Sequence, residues 1–114
     1  MSTERAQSDK SVASLVETID ELQEVLVRYK QATLRATQMM SSGVPAIETL
    51  TQIDAVNLRP ELTDALARLE AARRQARVDL LAVAAQEGAS PAEIGRALGF
   101  SRQLASRLAN TLND

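Results

Sequence analysis

The residues of this chain whose types and spacing suit a chemical task gather near its C-terminal end. Arg102, Gln103, Ser106 and Arg107 lie one, three and one residues apart, which places them on one side of a helix, where surface neighbours are three and four apart. An arginine fork fits the O6 and N7 acceptors of guanine, a glutamine fits the N6 and N7 edge of adenine, and a serine hydroxyl serves several bases. The chemistry on offer is recognition of base edges in double-stranded DNA. Bond-making chemistry is poorly provided for. The chain has no His and no Cys, which removes thiolate and imidazole metal ligands, disulfides and nucleophile–histidine pairs together. The carboxylates, Ser, Thr, Lys and Tyr that remain sit at spacings that amphipathic helices already explain, and four glycines build no phosphate-cradling loop. No enzyme, no catalytic residue, no metal and no cofactor is expected.

A local scaffold surrounds those four residues. Ser90 is a favourable N-cap, Pro91 suits the first helical position, and Glu93 sits where a capping box closes. Ile94 and Leu98 then fall on one face, and Gly99 supplies the residue that enters the left-handed region and ends the helix. Phe100 is an apolar plug after the turn, and Ser101 caps a second helix with Leu104, Ala105, Leu108 and Leu112 as its buried stripe. Gly95 and Ala105 are small where two backbones approach at roughly 90–120° across a short turn. Around this scaffold, Ser90 and Ser101 at the helix starts, with Arg96 and Arg77, are the candidate phosphate contacts.

The pattern from Ser90 to Leu108 resembles the helix-turn-helix superfamily of phage repressors, response-regulator effector domains and sigma-factor region 4. It is carried by Ile94, Gly95, Leu98, Gly99 and Phe100, by the run Ser101-Arg102-Gln103, and by Ala105, Ser106, Arg107 and Leu108. Ala105 stands where that superfamily more often has Val or Ile. The resemblance implies a second helix that enters the major groove and a protein that regulates transcription. It does not reach the first ninety residues and picks out no subfamily.

The remaining chain reads as helices. Residues 1–9 are polar and are expected to form a disordered tail, with structure beginning near Ser11. Val12, Leu15, Ile19, Leu22, Leu26 and Tyr29 then recur at alternating spacings of three and four, continuing weakly through Thr33, Ala36 and Met40, a heptad seam flanked by Val16 and Val25. Glu17, Asp20, Glu21, Glu24, Arg28 and Lys30 cover much of the other face. Pairing between two chains through Leu15, Ile19, Leu22, Leu26 and Tyr29 is favoured over a helix folded back on its own domain, because helical DNA readers commonly pair to reach two half-sites. Ser41 to Pro45 breaks this helix. A short helix from Pro45 to about Ile53 is expected to bury Ile47, Leu50 and Ile53, with a loop from Asp54 to Asn57. Pro60-Glu61 then opens a long third helix reaching Gly88 and lined by Leu62, Leu66, Leu69, Ala72, Ala76, Leu80 and Val83. The expected architecture is all-α: a long N-terminal helix, a short middle helix, and a long third helix leading into a C-terminal helix-turn-helix. Residues 10–58 form the dimerisation and packing region, and residues 59–114 the DNA-binding domain, with the motif at 90–112.

Charge narrows the class of partner. A net charge of −2 argues against coating nucleic acid by bulk attraction, yet the segment from Ser101 onward holds Arg102 and Arg107 against only Asp114. Arg73, Arg74 and Arg77 form a second basic cluster, which Glu70 and Asp79 are placed to neutralise. The first residues lack the apolar run of a signal peptide, and no apolar run suits a membrane span. A cytoplasmic homodimer that binds an operator in double-stranded DNA, most simply as a repressor, is the expectation. The rival is a helical interaction module, adaptor- or antitoxin-like, whose helix-turn-helix is only structural.

Overall fold

A computed structural model describes residues 3–99 together with Gln103 and Arg107. The described residues are all-α, with helices α1 (Thr3–Ser41), α2 (Ala46–Gln52), α3 (Ala55–Gln86) and α4 (Pro91–Leu98) in chain order and no strand. The long, short, long, short succession is the one the spacing of apolar residues implies.

The chain divides into two compact units, one made of Met1–Leu15 with Ala71–Asp114 and the other of Val16–Glu70. Both long helices therefore contribute to both units, and the division cuts across α1 and α3 instead of falling in a loop near residue 58. In the first unit, α1 starts at Thr3, so residues 3–9 belong to the fold and the disordered tail expected over 1–9 is corrected to that extent. What anchors them is small size and hydrogen bonding, not apolarity. Ser8 and Ser11 are buried, the Ser11 hydroxyl donates to the Asp79 carboxylate, and Arg5 pairs with Glu87 at 2.7 Å. The α3 segment of this unit buries Ala76, Asp79 and Val83 along one face, and Leu81 on nearly the opposite side. A helix covered on two sides has no single stripe. That is why Leu81, only 1% exposed, stays outside the expected row, while Leu80, within it, is 48% exposed.

In the second unit, Val25, Thr49 and Ala65 are the buried residues. Here α2 turns inward a face other than the one its apolar residues suggest: Ile47 and Leu50 are exposed, Ile53 is half-buried, and Thr49 is enclosed. Threonine is admissible there because its hydroxyl donates to the Pro45 carbonyl at 3.0 Å, so nothing polar is buried unpaired. The loop expected over 54–57 is also shorter. Asp54, at φ 58, closes α2, and its carbonyl accepts from the amides of Asn57 and Leu58 as α3 begins. Pro60 consequently lies inside α3 and not in its first turn. Its missing N–H deprives the Val56 carbonyl of a helical donor, which water can replace because Val56 is highly exposed. Arg28 pairs with Glu61 and Arg68 with Glu21 on the surface of this unit, contacts that contribute at most about 1 kcal/mol each.

Candidate nucleic-acid interface

The candidate interface begins where α3 stops. Gly88, at φ 88, turns the chain so that the amides of Gly88 and Ala89 reach back to the carbonyls of Ala85 and Ala84 at 3.1 and 3.0 Å, closing the helix with paired end bonds. Ser90 follows in extended conformation as the N-cap of α4. Its hydroxyl accepts from the Glu93 amide at 3.2 Å, and its own amide donates to Glu93 Oε1 at 3.3 Å. The capping box anticipated from residue types is thus closed on both sides, with Pro91 at the helix start. Inward, α4 buries Ile94 and Gly95 and half-buries Leu98, while Glu93, Arg96 and Ala97 face outward.

Gly99 ends α4 at φ 75 and ψ 19, its amide directed at the Arg96 carbonyl. No atom lies within 4 Å of the place a Cβ would take. Glycine is therefore required by the backbone angle and not by lack of room. Past this turn, Gln103 and Arg107 are both helical and both exposed. Their separation of four is the spacing at which residues of one helix share a face. Phe100, Ser101, Arg102, Leu104, Ala105, Ser106, Leu108 and Leu112 lie outside the described residues.

The candidate phosphate contacts separate by environment. Arg96 is exposed in the last turn of α4, whereas Arg77 is half-buried on α3. Ser90 is exposed, but both its amide and its hydroxyl serve the capping box. The Glu93 carboxylate already holds the positive end of the α4 dipole, so a phosphate brought to that helix start meets a negative charge. On this element Arg96 is the candidate with the least obstruction.

Of the candidate pairing residues, Leu15 and Leu22 are half-buried in the chain's own fold, while Ile19, Leu26 and Tyr29 are exposed. The enclosed row of α1 runs through Ser8, Ser11, Leu15, Thr18, Leu22 and Val25 and on to Ala32, Ala36 and Met39. It is rotated by one residue at every second step from the row that apolarity alone picks out. Val25, read as a flank, is at its centre at 5% exposure.

No pattern of residue types points to the pairing between Ser11 and Asp79, to which Gln75 Nε2 adds a donor at 3.0 Å. Proximity in sequence places Asp79 near the arginine cluster; its phase, on the buried face with Ala76 and Val83, is the one signal for a different partner. Among the described residues no three His, Cys, Asp or Glu side chains gather as a metal-holding group, and no helix is long and apolar enough to cross a membrane. Comparison of the chain with family models, with curated proteins and with solved structures finds no match.

Proposed function

We propose that this chain is a sequence-specific DNA-binding transcriptional regulator, working in the cytoplasm as a homodimer on an operator of two half-sites and acting as a repressor by occupancy. The observation that carries the reading is the succession of a capped α4, a left-handed stop at Gly99, and then helical, exposed Gln103 and Arg107 one turn apart. A short helix, a sharp turn and a second helix offering Gln and Arg outward is the arrangement by which a protein presents hydrogen-bonding side chains to a major groove. In this reading Gln103 and Arg107, with Arg102 and Ser106, contact bases. Arg96, Ser101, Arg77 and Ser90 approach phosphates, Arg96 with the least obstruction.

Selection of bound sequences from random duplex DNA, at stated salt, tests the reading directly. The expected result is an enriched, two-fold repeated sequence whose binding weakens steeply with salt. No enrichment, together with no shift of any duplex at low salt, would overturn it. That outcome would leave the interaction module, which Glu93 at the start of α4 and the chain's net charge of −2 favour.

A further inference from the structure

From Val16 to its end, α1 has three faces. One is the enclosed row through Leu22, Val25 and Ala32. A second carries Glu17, Glu24, Arg28 and Arg35. The third is apolar yet bare: Val16, Ile19, Leu26, Leu34 and Met40 are between 39% and 55% exposed. At 100° per residue these five fall within one arc of the helix beside the enclosed row, which also carries Gln23, Lys30, Thr33 and Thr37, with Asp20 at its border. An apolar strip of this kind on a helix calls for another surface to cover it.

Charge decides what covers it. Between Val16 and Val25 the helix bears Glu17, Asp20, Glu21 and Glu24 and no base; between Leu26 and Ser41 it bears Arg28, Lys30 and Arg35 and no acid. Glu17, Glu24, Arg28 and Arg35 lie on the second face, turned away from the strip, so the charges that meet a partner there are Asp20 and Lys30. Two copies laid side by side in the same direction bring the partner's Lys30 against Lys30 inside the strip. Laid in opposite directions about Leu26, Asp20 comes beside the partner's Lys30. We infer that this strip of α1 binds the same strip of a second copy of the chain in antiparallel orientation, with Leu26 at the two-fold axis. Ile19 then lies opposite the partner's Thr33. The proposal rests on the homodimer reading and adds the face, the direction and the register to it. A two-fold interface of this kind is closed, because the same patch serves both partners.

The chain has no cysteine, so single introduced thiols report on the geometry without interference. Ile19→Cys and Thr33→Cys are prepared in the full-length protein, separately and as an equal mixture, and oxidised gently. A disulfide needs its two Cα atoms within roughly 7 Å. In the antiparallel pair the two copies of residue 19 are about 20 Å apart by the helical rise, so each single variant stays at monomer mass on a denaturing gel and the mixture shifts to twice that mass. Lys30→Glu weakens the wild-type dimer by roughly two- to fivefold in sedimentation, the range for an exposed ion pair, and adding Asp20→Lys restores it. A disulfide from Ile19→Cys or Thr33→Cys on its own, not increased by mixing the two, means parallel pairing and overturns the inference while leaving a homodimer. So does a wild type that sediments as a dimer while no arm cross-links, since another face then pairs. A wild type that stays monomeric at tens of micromolar removes the homodimer reading itself, and duplex binding by that monomer shows whether DNA recognition survives it.

Discussion

Ser11 donates a buried hydrogen bond to Asp79, 68 residues further along the chain. Both side chains are enclosed, Ser11 at 5% and Asp79 at 8% exposure, so the carboxylate depends on Ser11 and Gln75 for solvation that water would otherwise supply. Removing one partner leaves an acceptor short of donors in a medium that penalises it. Ser11→Ala is expected to lower unfolding free energy by about 1–3 kcal/mol, measured as a shifted urea midpoint with unchanged slope. A loss within error would mean that water reaches Asp79.

Ser90 and Glu93 satisfy each other's amides at the start of α4. Ser90→Ala breaks one half of that exchange and should cost about 1 kcal/mol. Adding Glu93→Ala should cost less than the sum of the two single changes, because the contacts form as a unit. Thermal melts of the two single variants and the double variant check this.

At Gly99 the penalty for a side chain is conformational. Gly99→Ala is expected to cost about 1–2 kcal/mol and Gly99→Asn distinctly less, since Asn tolerates the left-handed region better. Equal melting temperatures for all three proteins would show that the turn relaxes without cost.

Gln103 and Arg96 should fail in different ways on DNA. Gln103→Ala is expected to weaken a selected operator by about 1–3 kcal/mol and to relax preference at one or two base pairs; Arg107→Ala should behave alike. Arg96→Ala should weaken all duplexes evenly and lower the slope of log affinity against log salt by about 1. Shift assays over a salt series, on operator and scrambled DNA, separate the two behaviours.

Along α1 the choice of residue matters. Leu22 is half-buried in the chain's own fold and neighbours the buried Val25, so a carboxylate there destabilises the monomer as well as any pair. Ile19→Glu with Leu26→Glu alters only exposed positions. It should leave the melt of the isolated chain nearly unchanged while operator affinity falls by roughly a hundredfold, as a linked second half-site is lost. Sedimentation and operator binding, read together, test it.

What was legible in the sequence is what residues settle among near neighbours. Ser90, Glu93 and Gly99 announce a capped and stopped helix because the groups involved lie within a turn of one another, and their chemistry needs no distant partner. The long helices were legible for a similar reason, since α1 and α3 carry a repeating apolar period. The rotation of the α1 row was not. Ser8, Ser11, Thr18 and Ala32 face inward because they are small and lie where helices approach closely, and smallness leaves no trace in an apolar pattern. Thr49 misled in the same way, being enclosed through its bond to Pro45 while Ile47 and Leu50 stay out. Pro60 suggested a helix start because proline is welcome there; Asp54 had already begun the helix one turn earlier. The proposed base-contacting set was legible only as residue types at helical spacing, of which Gln103 and Arg107 are helical and exposed.

The first compact unit is assembled from both ends of the chain, with all of Val16–Glu70 between its two pieces. Joining those pieces from an unfolded chain means closing a loop the length of the whole second unit, and closure entropy rises with the logarithm of that length, by about 0.6 kcal/mol per doubling. Once the α1–α2–α3 hairpin has formed, the two ends are brought toward each other by structure already in place, and most of that entropy has been spent. On this topology the internal hairpin is expected to fold before the unit made from the two ends.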